Sequence, residues 1–134
     1  MARLTQEMKD MVASQQVFHA TASKEGTPNV APKRSTRVLD DETLIFTEGT
    51  GGATYRNILD NPKVSCGVVN RETVQGYRFV SMAEMQTEGA LYDQAAEESA
   101  KMGKPAPKGV VLLHVQEIHS LTPGPGAGKP VSEE

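Results

Sequence analysis

Strand-like stretches follow one another in this chain with only turns between them, and that succession constrains the fold more than any other feature. Residues 16–23 and 29–39 are rich in β-compatible side chains and flank the turn chemistry of Lys24-Glu-Gly-Thr27, which predicts a hairpin. Asp40-Asp-Glu-Thr43 then reverses the chain into the apolar run Leu44-Ile-Phe-Thr47. Three strands in succession imply an antiparallel meander. Further strands are expected over 63–70, 76–87 and 109–121, six in all, and strands without regular helical crossovers favour a closed antiparallel barrel.

Helices are few and short. Leu4, Met8, Met11 and Val12 recur at helical spacing, so residues 5–14 read as an amphipathic helix with Thr5 available as N-cap. A second helix opens near Tyr55 and is stopped by Pro62, because proline disfavours helical geometry in the residue before it. A third covers 91–102, with Leu91, Ala95 and Met102 on one face. The expected fold is therefore mainly β, a β-barrel with a few short helices.

A chain of 134 residues suffices for one core and is too short for two. Residues 1–121 read as that single domain, and 122–134, dominated by Pro and Gly, as a flexible tail. A net charge of -3 argues against a nucleic-acid partner, whose site needs a basic surplus. One cysteine, Cys66 in an apolar strand, and a polar start without an apolar signal core point to the cytoplasm, with no membrane association.

The chemistry concentrates between Val30 and Thr54. Lys33, Ser35 and Arg37 alternate, so a strand would set them on one face, either as an anion-binding wall or as a solvated edge that resists aggregation. Gly49-Thr50-Gly51-Gly52-Ala53-Thr54 follows, offering backbone N–H groups at the mouth of the second helix, with the Thr54 hydroxyl and Thr47 nearby. That combination suits a phosphate. Gly124 to Lys129 imitates a phosphate loop, but Pro130 stands where Ser or Thr should be. His19, His114 and His119 lack paired ligand spacing, so no metal site is expected. Cys66 reads as an inert packed thiol, and no catalytic side chain stands out.

These segments, above all Pro28-Asn-Val-Ala-Pro-Lys-Arg-Ser-Thr-Arg-Val-Leu-Asp40 and Gly-Gly-Ala-Thr-Tyr-Arg-Asn-Ile-Leu-Asp-Asn-Pro-Lys-Val64, resemble the FMN-binding split-barrel family of pyridoxamine 5'-phosphate oxidase, in particular its short members. The resemblance runs from about Leu4 to Leu121. It implies a six-stranded antiparallel split barrel that forms a homodimer with FMN at the subunit interface. Carried onto this sequence, the cofactor-binding residues become Lys33, Arg34, Ser35, Arg37, Thr47, Gly52, Ala53 and Thr54, with Arg34 and Gly52 contributing backbone contacts. Relatives frequently carry a lysine where this chain has Ala53, so a phosphate partner is missing there. The implied function is an FMN-dependent oxidoreductase or flavin electron carrier, with a small-molecule substrate or a donor such as NAD(P)H. The alternative is a non-catalytic binding module for a flavin, deazaflavin or haem-like ligand.

Overall fold

Alternation of apolar side chains along short strands builds one antiparallel sheet, with three helices laid against it. The computed structural model describes residues 2–131. In chain order the elements are α1 (Gln6–Ser14), β1 (Val17–Ala22), β2 (Pro28–Pro32), β3 (Arg37–Asp40), β4 (Thr43–Glu48), α2 (Ala53–Asp60), β5 (Lys63–Val69), β6 (Gly76–Gln86), α3 (Ala90–Lys101) and β7 (Gly109–Ser120). The strand order is β2-β1-β5-β6-β7-β4-β3, and every neighbouring pair is antiparallel.

Local chemistry sets the helix ends. Thr5 caps α1 by accepting from the Met8 amide at 3.3 Å, and the Met8 thioether answers by accepting from the Thr5 amide. Arg3 and Lys9 both pair with Asp41, fastening α1 to the β3–β4 turn. The inward faces of the strands then meet α1 and α2 in the main core, which includes Met8, Val17, Phe46, Ile58, Val64, Phe79 and Leu113. On the other side of β4 and β7, Ile45, Val110 and Leu112 pack against Ala95 of α3. β4 is thus buried on both faces.

The expected six-stranded closed barrel is corrected on two counts. Among the described residues there are seven strands, because the stretch read as one strand over 29–39 is broken by a turn at 33–36, in which the Thr36 amide and hydroxyl both donate to the Lys33 carbonyl at 3.1 and 2.7 Å. The sheet is also open, with β2 and β3 as its two free edges, so it is not a split barrel. It curls far enough to bring His19 of β1 within 4.7 Å of the Phe46 ring of β4, yet no ladder joins the edges.

Proline accounts for the opening. The Lys33 amide points toward β1, where it donates to the Val17 carbonyl, so positions 28, 30 and 32 turn their backbone nitrogens outward. Two of those three are Pro28 and Pro32, which have no N–H to offer a further strand.

Residues 122–131 fold back along β7: the Ser120 amide donates to the Lys129 carbonyl at 3.0 Å and the Val131 amide to the Ile118 carbonyl at 2.9 Å. The last part of the expected tail, 132–134, lies outside the described residues. Among the described residues no helix is long and apolar enough to cross a membrane.

Candidate functional site

The turn that interrupts the expected strand also lines a broad cleft. A cleft of about 790 Å³ opens between residues 32–37, the end of β4 with Gly49 and Thr50, the C-terminal half of α3, and the loop 104–107. Arg34, Arg37 and Lys104 give it an exposed cationic rim and Lys33 a more buried cation, with Glu98 also in the lining. Ala95, Met102, Pro105 and Pro107 supply apolar walls. A volume of this size falls in the range typical of small-molecule sites.

Five of the eight residues singled out from sequence line this cleft: Lys33, Arg34, Ser35, Arg37 and Thr47. They do so from a turn and two strand ends rather than from one strand face. The Ser35 hydroxyl is committed to the backbone of Thr47, accepting from its amide at 2.8 Å and donating to its carbonyl at 3.3 Å. It pins the turn to β4. Arg37 reaches back to donate to the Ser35 carbonyl at 2.8 Å while its side chain stays exposed. Gly52, Ala53 and Thr54 lie outside the cleft lining. Gly52 is the N-cap of α2 without a side-chain cap bond, Ala53 opens the helix, and the buried Thr54 hydroxyl accepts from the Asn29 side chain at 3.3 Å.

The residue that sequence reasoning missed is Glu48. It is fully buried, and its carboxylate fills the glycine turn: Oε2 accepts from the amides of Thr50 at 3.2 Å and Gly51 at 3.1 Å and from the Thr50 hydroxyl at 3.4 Å. Lys33 Nζ lies 3.1 Å from Oε1, close enough for an ion pair but off a hydrogen-bonding direction, so Oε1 has no hydrogen-bond partner. The signal was present in the sequence. Period-2 alternation sets Glu48 on the same face as Leu44 and Phe46, making it a carboxylate on a core-facing position.

Beneath Lys33 sits a neutral buried pair. His19 Nε2 lies 2.8 Å from the Thr36 hydroxyl, and its Nδ1 lies 3.4 Å from Cys66 Sγ. Burial, aided by the Lys33 cation, lowers the imidazole to about 4, and burial pushes the Cys66 thiol up to about 12. Neither group is poised for nucleophilic work. Among the described residues there is no group of three or more side chains able to hold a metal ion.

A curled antiparallel sheet with a cationic, apolar-walled cleft beside its β4 end is a fold capable of binding a flavin or a related planar ligand. Within that class the chain belongs to the pyridoxamine 5'-phosphate oxidase family, whose model matches residues 4–122. It is similar to the crystal structure of HupZ from Group A Streptococcus, with 46% identity, coverage of 93% of this chain and 99% of that one, and a TM-score of 0.82. A Lactobacillus delbrueckii protein named for the same family matches at 31% identity over 87% of this chain and 93% of its own, with a TM-score of 0.75. An uncharacterized protein of Methanocaldococcus jannaschii is 40% identical over 136 residues, 98% of this chain and 90% of the relative. Structures at or below 20% identity, among them an FMN-binding protein and a haem storage protein, share the fold alone.

FMN as the specific cofactor is therefore corrected. The solved structures of 45–46% identity are HupZ, whereas a structure named for FMN matches at 15%. The glycine turn is also a poorer phosphate site than its sequence suggests, because the Thr50 and Gly51 amides already bind the Glu48 carboxylate and Ala53 brings no cation.

Proposed function

We propose that this chain is a non-catalytic binding module for a flat, acid-bearing ligand of the haem-like class, held in the cleft beside the 33–37 turn. The observation that carries this reading is the make-up of that cleft: apolar walls from α3 and the prolines, and cations at the rim, with the Thr50 and Gly51 amides turned to Glu48. Apolar walls suit a conjugated plane, and rim cations suit carboxylates at its edge. In this reading Lys33 and Thr47 form the floor, Arg34, Arg37 and Lys104 face the ligand's acids, and Ser35 holds the turn in place. Gly52, Ala53 and Thr54 act through the fold.

The test is an absorbance titration with hemin, beside FMN and a deazaflavin. Hemin saturates the protein at micromolar concentration with a shifted Soret band, and the Arg34→Ala/Arg37→Ala double variant binds it about tenfold more weakly. A flavin that saturates the protein where hemin does not would overturn the proposal. Membership of an oxidase family favours one second reading, an oxidoreductase that uses a flavin-class cofactor. Bleaching of a bound flavin or deazaflavin by NADH or NADPH would select it.

The module pairs as a homodimer in this proposal. Phe18, Val30, Val69 and Met82 are exposed, and strand register sets them on one outward face across β2, β1, β5 and β6. Phe18 is the diagonal neighbour of both Val30 and Val69, and neighbouring exposed apolar groups of this kind mark association surfaces.

A further inference from the structure

The geometry points to Glu48 as an internal anion that occupies the nest at the mouth of α2 and thereby sets the ligand choice of the cleft, turning away ligands whose acidic end is a phosphate. This inference rests on the binding-module reading of the cleft. Phosphate groups are held in proteins by consecutive backbone amides, a hydroxyl and a cation. Those donors are all present here: the Thr50 and Gly51 amides, the Thr50 hydroxyl and Lys33. Gly51, at φ +72°, takes the left-handed conformation within that turn. Their acceptor is a carboxylate of the chain itself.

Glu48 is placed to exclude and not merely to tether. It is 0% exposed, whereas Lys33 and Thr50, which it binds, line the cleft, so the carboxylate sits behind the cleft floor. Its Oε1 has no hydrogen-bond partner, so the carboxylate fills the nest without using all of its own acceptors. A second anion entering beside it would share low-dielectric surroundings with a like charge and find the Thr50 and Gly51 amides taken. A ligand whose acids stay at the rim, on Arg34, Arg37 and Lys104, meets no such conflict.

The experiment measures binding of inorganic phosphate by isothermal titration to the full chain and to the Glu48→Ser and Glu48→Gln variants. Glu48→Ser empties the nest and binds phosphate about tenfold to a hundredfold more tightly than the parent. Glu48→Gln keeps the shape but releases Lys33 from its counter-charge, so it gains a smaller amount. Adding Lys33→Ala to Glu48→Ser abolishes the gain. Equal phosphate affinity in the parent and both single variants would overturn the inference, and if Glu48→Ser does not fold, no gain in Glu48→Gln does the same. Hemin binding by the parent is scored separately: a phosphate gain in Glu48→Ser without hemin binding upholds the role of Glu48 and removes the binding-module reading.

Discussion

At the residue scale, the interior under the cleft is tuned to stay neutral apart from one ion pair. Lys33 and Glu48 share a charge contact at 3.1 Å, with the Lys33 ammonium 5.9 Å from the centre of the Phe46 ring. His19, buried against the same ring and beside that cation, cannot accept a proton cheaply. Its native value of about 4 lies below its ordinary value of 6.5, so between the two the unfolded chain binds a proton that the native state refuses. Stability is full above that window and falls by up to about 3 kcal/mol as pH drops through it. Urea unfolding followed from about pH 7 to about pH 4.5 should show this slope, and His19→Gln, which can keep a bond to Thr36, should flatten it. A parent midpoint that does not move across the window would contradict the neutral assignment. Asp41 titrates elsewhere: hydrogen bonding and charge from Lys9, then charge from Arg3, hold it below the usual carboxylate range, so its contribution is lost only in more acidic solution.

At the scale of elements, the β5–β6 hairpin is closely packed at its turn end. Gly76 faces Val69 in the ladder, and a methyl group there would sit 2.7 Å from the Val69 side chain and 2.8 Å from the Val68 carbonyl. The carbonyl is backbone held in the ladder and cannot step aside. Gly76→Ala should therefore cost about 1–3 kcal/mol, read as a lower urea midpoint with unchanged slope. A stability equal to the parent's would mean that the hairpin yields. The N-cap of α1 offers a milder case: Thr5→Ala removes the acceptor for the Met8 amide and should cost about 1 kcal/mol in the same measurement. That cap was readable from sequence because it depends on residues within one turn, as did the ends of β5 and β7. The break between β2 and β3 was not. Lys33 to Arg37 alternates as a strand should, and only the pull of Thr36 onto the Lys33 carbonyl and of Ser35 onto β4 turns it into a corner.

At the scale of the whole molecule, the outward face of β2, β1, β5 and β6 predicts the assembly. Light scattering at micromolar concentration should give twice the mass of one chain, and Phe18→Asp or Val30→Asp should shift it toward a single chain while the far-ultraviolet dichroism is retained. A single-chain mass for the parent would remove the dimer from the proposal. The sequence by itself determined what depends on near neighbours: the antiparallel sheet, the places of α1, α2 and α3, and the cluster of cations at 33–37 that now lines the cleft. Only the tertiary structure decided whether the sheet closed and where a cleft would form. Both outcomes turn on how elements meet: an edge strand whose prolines withhold donors, α3 closing a cleft against a turn some sixty residues earlier, and Glu48 meeting Lys33 at that turn. Alternation along a strand says which way a side chain points, but not which distant partner has arrived there to meet it.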